Sequence, residues 1–68
     1  MITFEPLWTT MKKKNVTGYA LMNDHGISHS LWHKLRHDKN VTLETINRLC
    51  EILECDVADI VKHIPDIK

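Results

Sequence analysis

Five times along the chain the same small pattern recurs: an apolar residue, then Ser, Thr or Asp, then another apolar residue four positions after the polar one. It reads Ile2-Thr3 with Leu7, Val16-Thr17 with Leu21, Ile27-Ser28 with Trp32, Val41-Thr42 with Ile46, and Cys55-Asp56 with Ile60. A short polar side chain that accepts from the first backbone N–H groups of a helix, flanked by two apolar residues that close over it, is an N-cap with its hydrophobic staple. Five such starts predict five helices. The first start is the least sharply placed, because Pro6 also suits the opening position of a helix after Glu5. No alternating run bounded by turn residues predicts a β-hairpin.

The first helix is expected from residue 4 or 6 to residue 13 or 14. It would bury Phe4, Leu7, Trp8 and Met11 and end on Lys12, Lys13 and Lys14, cations that suit the negative end of the helix dipole. The second is expected over 18–25 and the third over 29–36. The fourth, over 43–54, repeats Leu43, Ile46, Leu49, Cys50 and Leu53 as a stripe wide enough to floor the core. A fifth, over 57–63, is stopped by Pro65. So short a helix does not bury Val57, Ile60, Val61 and Ile64 all at once, which makes Ile60, Val61, Ile64 and Pro65 candidates for a partner surface.

Residues 17–36 organise the rest. Gly26 follows the run Tyr19-Ala20-Leu21-Met22 and precedes Ile27-Ser28, a place where the chain needs the left-handed backbone that a Cβ penalises. Ser28 restarts a helix almost at once, so two helices are joined within about three residues, the spacing of a helix-turn-helix. In the second of them Trp32 and Leu35 face inward together. His29, Ser30, His33, Lys34 and His37 are left pointing outward, a face with donors and acceptors and no acid.

At Leu21, Met22, Gly26, Ile27, Ser28, Trp32 and Leu35 the chain resembles helix-turn-helix proteins of the phage lambda repressor and Cro type, which carry small or apolar, glycine, apolar and core residues there. The likeness extends over nearly all of the chain. More narrowly, the opening Phe4-Glu5-Pro6-Leu7-Trp8 and the close from Leu49-Cys50-Glu51 to Cys55-Asp56 are similar to those of short single-domain Cro/CI-type (XRE) regulators of Gram-positive bacteria and their mobile elements. The resemblance implies an all-α, five-helix lambda repressor-like domain. It also implies that the turn Asp38-Lys39-Asn40 lies along the DNA backbone. The family often has Gln at the start of both helices where this chain has Gly18 and His29, so the adenine-reading geometry of a Gln amide is absent and no operator sequence follows.

Sixty-eight residues, 1–68, make one domain near the lower size limit for unaided folding. Hydrophobic residues at 43% and charged residues at 26% are ordinary for a globular chain rather than a disordered one. No apolar run approaches a membrane span and the first ten residues have no signal pattern, so a cytoplasmic protein is expected. The net charge is zero, but residues 1–40 hold six Lys/Arg against three acids and residues 41–68 hold three against six. The basic half contains the third helix, as an electrostatic footprint for phosphate requires. Cys50 and Cys55, five apart on or near one helix, are read as pointing in different directions and acting as small buried hydrophobes.

The leading functional reading is a sequence-specific DNA-binding transcriptional regulator, a repressor, that binds an inverted-repeat operator in double-stranded DNA as a homodimer, formed either beforehand or only on the DNA. Helix three would enter the major groove, with half-sites about one helical turn apart. Ser28, His29 and Ser30 at the helix start, His33 and Lys34 one turn on, and His37 beyond them would reach bases and phosphates, while Thr17, Lys39 and Asn40 fix the register on phosphate oxygens. The alternative is a protein-interaction module of the same fold without base-specific readout. An enzyme is not expected, since no nucleophile is placed with a base and orienter, and neither a cofactor nor a small-molecule substrate is implied. His25, His29, His33 and His37 recur every four residues, and such a pair on a helix can share a metal. With no further ligand to complete a set, solvated or DNA-facing histidines are the expectation.

Overall fold

The computed structural model describes residues 1–66 of the chain. Helix α1 (Glu5–Lys13) is followed by α2 (Gly18–Asn23), α3 (His29–Arg36) and α4 (Leu43–Leu53), then a 3-10 turn over Val57–Asp59. Strands β1 (Ile2–Thr3) and β2 (Lys62–His63) pair antiparallel.

Three of the expected caps form as read. Thr17 Oγ1 accepts from the Ala20 N–H at 3.1 Å, Ser28 Oγ from the Leu31 N–H at 3.1 Å, and Thr42 Oγ1 from the Thr45 N–H at 3.2 Å. Each capping residue has extended backbone, which lets its side chain fold back over the first turn. At α1 the arrangement differs. Phe4 precedes the helix without a side-chain cap of its own, and Thr3 Oγ1 accepts from the Glu5 N–H at 3.2 Å. The Phe4 N–H donates at 2.8 Å to Oδ1 of Asp38, beyond the end of α3. An anion therefore sits at the positive end of α1.

The fifth α-helix expected over 57–63 does not form. Asp56 and Asp59 close a capping box that starts the turn, but only Val57–Asp59 wind. Lys62 and His63 leave to pair with Thr3 and Ile2, and the Ile64 N–H donates to the Met1 carbonyl at 2.7 Å. Nucleating so short a helix is costly, and Val61 and Ile64 are β-branched residues that suit an extended strand. The two chain ends are thus paired directly, an arrangement the absence of a hairpin signal did not anticipate.

The core draws buried residues from all four helices, the turn before α3 and the end of the 3-10 turn. Leu7, Leu21, Leu35, Leu49 and Ile60 are wholly buried, with Phe4, Met11, Ile27, Ile46 and Leu53 around them. Buried Thr10 ties the 3-10 turn to α1 by donating to the Asp59 carbonyl at 2.7 Å. Three expectations change here. Ile60, a candidate for the partner surface, is 0% exposed and belongs to the core. Leu43, read as part of the floor, is 84% exposed, because the buried stripe of α4 begins only at Ile46. Trp8 lies at the core's edge, half buried, its ring edge-on to Trp32 with centroids 5.5 Å apart. Among the described residues no helix is long and apolar enough to cross a membrane.

Candidate nucleic-acid interface

Helices α2 and α3 are joined by the turn 24–28. Gly26 has φ +71°, the left-handed value that the sequence called for, and the Ile27 N–H reaches back to the Leu21 carbonyl at 3.0 Å. Helix α2 ends at Asn23 rather than at residue 25, so Asp24 and His25 belong to the turn. Arg48 of α4 holds this turn from below, its Nη2 donating to the His25 carbonyl. Ile27 is buried and anchors the turn to the core.

Helix α3 then presents two faces. Leu35 is buried and Leu31 and Trp32 are half buried, while His29, Ser30, His33, Lys34 and His37 are all exposed, as is Ser28 at the cap. The His33 and His37 rings lie 4.2 Å apart at their centroids, tilted by 44° to each other, across the last turn of the helix and its C-cap. Arg36 turns away from this row and carries its guanidinium 5.9 Å from the Trp32 ring centroid, a cation–π contact.

The flanks of α3 complete the surface. Asp38 ends the helix in the left-handed conformation with φ +52°, and the Lys39 N–H closes the turn on the Lys34 carbonyl at 2.8 Å. Because the Asp38 carboxylate takes the Phe4 N–H, its charge is spent on α1 rather than aimed outward from α3. Lys39 and Asn40 are exposed beyond it. At the other flank Thr17 is exposed at the start of α2. Its oxygen accepts from Ala20 through a lone pair, which leaves the hydroxyl proton free to donate to a phosphate oxygen. Ser28 is in the same condition.

Two residues escaped the sequence reading. Tyr19, counted with an apolar run, is 74% exposed on the first turn of α2 close to Thr17. Its position two residues after a cap, next to buried Leu21 rather than in line with it, was the available signal. Arg48 gave none, since nothing in the sequence links it to a carbonyl 23 positions earlier.

The lysines at the end of α1 divide. Lys13 and Lys14 line a hollow with Thr10, Glu54, Cys55 and Asp59, beside two acids. Among the described residues no three His, Cys, Asp or Glu side chains are grouped so as to hold a metal ion. Cys50 and Cys55, both free, do not point apart, the Cys50 side chain lying close enough to act on the Cys55 thiol. Glu54 takes φ +50° after α4, and both its N–H and that of Cys55 return to the Cys50 carbonyl. This Schellman closure brings residues five apart over one another. Burial first, then Cys50 and Asp59, push the Cys55 thiol above its ordinary range.

Comparison with known proteins agrees with this geometry. The crystal structure of the transcriptional regulator VanUg, form II, superimposes with a TM-score of 0.86 and 29% sequence identity, covering 96% of this chain and 87% of that one. No curated protein sequence is significantly similar. A family model for the Cro/C1-type HTH DNA-binding domain matches residues 6–66. The chain therefore belongs to the Cro/C1-type helix-turn-helix DNA-binding domain family.

Proposed function

We propose that this domain is a cytoplasmic transcriptional repressor that reads an inverted-repeat operator as a homodimer, laying α3 in the major groove. The observation that carries the reading is the continuous acid-free surface of Ser28, His29, Ser30, His33 and Lys34, exposed along one side of a helix whose other side is locked into the core. Imidazole, hydroxyl and ammonium groups at that spacing match the donors and acceptors of base edges and phosphates. Thr17, His37, Lys39 and Asn40 stand at the two flanks, where the duplex backbone passes on either side of a seated recognition helix. Tyr19 joins them as a phenol able to donate to phosphate.

Fluorescence anisotropy on a random-sequence duplex tests the electrostatic part of this reading. The logarithm of affinity is expected to fall linearly with the logarithm of salt concentration, and Lys34→Ala to lower that slope by about one. Binding that is indifferent to salt would favour a protein-interaction module on the same fold.

A further inference from the structure

Leu43 is the first residue of α4 and stands 84% exposed at the edge of a groove of about 710 Å³. Phe4, Val41, Ile46 and Val61 floor that groove, and Met1 and Ile2 wall it with 62% and 51% of their surfaces exposed. The same face therefore carries both a protruding leucine and an apolar hollow. From this pairing of knob and hole we infer that the face is the self-association surface of the domain, its occupant a second copy whose Leu43 enters the groove while the first copy's Leu43 enters the partner's. The inference rests on the dimeric reading above and fixes where the two copies meet.

A twofold interface must be complementary to itself, which a knob beside a hole on one patch satisfies and a knob or a hole alone does not. Charge on the rim agrees. Asp38 and Lys39 both line the groove, so two copies related by a twofold bring an acid and a base from each side and meet no excess of one sign there. The place is right for paired reading as well, because His37, Asp38, Lys39 and Asn40 line the groove and the end of α3 therefore borders it. Pairing here sets the two α3 helices about one axis.

Size decides the strength. Met1, Ile2 and Leu43 offer exposed surface on the order of 400 Å², inside the range of patches that mark interaction sites but below the roughly 800 Å² per partner of a stable complex. Such a face gives weak association in free solution, brought to completion when DNA holds two copies side by side.

Sedimentation equilibrium of the full chain at concentrations up to about 1 mM, where an interface this small becomes populated, tests the inference. The parent is expected to self-associate, and Leu43→Glu and Ile2→Glu each to weaken association at least about tenfold with the melting temperature unchanged, since both side chains are exposed. Val57→Glu, at a 50%-exposed apolar residue away from the groove, serves as the matched control and is expected to associate as the parent does. Concentration-dependent shifts in amide NMR spectra should fall on β1, residues 37–41 and the start of α4. A parent that stays monomeric overturns the proposal. A parent that dimerises equally well with Glu at both positions overturns this face while leaving the dimeric reading in place.

Discussion

The Trp32 indole occupies the space that a side chain on Gly18 would need. A Cβ built on Gly18 would lie 2.4 Å from Trp32 Cζ2 and 2.7 Å from Cη2. Room, not backbone conformation, is what this first residue of α2 supplies. The ring has little freedom to retreat, with Trp8 edge-on to it and Arg36 over it. Gly18→Ala is therefore expected to destabilise by about 1–3 kcal/mol, the range for an overpacked site, in spite of alanine's better helix propensity. Trp32→Leu should recover most of that loss in a double-mutant cycle read by urea unfolding. If Gly18→Ala is neutral with Trp32 present, the ring is not held as described.

Asp38 caps a helix it does not belong to. Its carboxylate accepts the Phe4 N–H at 2.8 Å and the Thr3 hydroxyl at 3.4 Å, joining the end of α3 to the start of α1. Asp38→Ala should cost about 1–2 kcal/mol, since it removes the cap and places alanine at φ +52°. Asp38→Asn keeps an acceptor and tolerates that backbone, and should cost clearly less. Equal losses for the two variants in chemical denaturation would show that the carboxylate's charge, not its acceptor geometry or the backbone conformation, carries the effect.

Glu54 ends α4 in the left-handed region at φ +50° and is exposed. Glu54→Gly is expected to stabilise by about 0.5–1 kcal/mol, because a residue without Cβ takes this closing position freely. A fall in the melting temperature would mean that the glutamate side chain makes a contact worth more than the strain it incurs.

The Cys55 thiol, raised above its ordinary value of 9.0 chiefly by burial, gives a signed pH effect. The folded chain holds this proton more tightly than the unfolded one. Its contribution is therefore present in full below the unfolded value and is lost as pH rises through the folded one. The urea midpoint should fall as pH rises past the ordinary thiol value, and fall less in Cys55→Ala. Identical pH profiles would leave Cys55 without a part in alkaline stability. The same cause should make Cys55 slower to alkylate near neutral pH than a free thiol.

Local chemistry was legible in the sequence and distant partners were not. Thr17, Ser28 and Thr42 cap their helices as read because a cap is decided within three residues, and Gly26 because a tight helical turn needs positive φ there. The exposed row from Ser28 to Lys34 followed from helical spacing once Leu35 was known to face inward. The fifth helix failed because Lys62 and His63 pair with Thr3 and Ile2, 59 and 61 positions away, beyond the reach of any local pattern. Spacing placed Leu43 on the inward side of α4, but whether another element arrives to cover it depends on the fold. Gly18 with Trp32, Asp38 with Phe4 and Arg48 with His25 are likewise tertiary relationships, and they hold the site's parts in position.

That α3 reads base edges is tested most directly by selecting bound duplexes from a random pool, first with the parent and then with His29, Ser30 and His33 all replaced by alanine. The expected result is an enriched inverted repeat with half-sites about 10 base pairs apart, centre to centre, whose consensus is lost or altered in the triple variant. A pool that stays random, or the same consensus from both proteins, would contradict base readout by this helix.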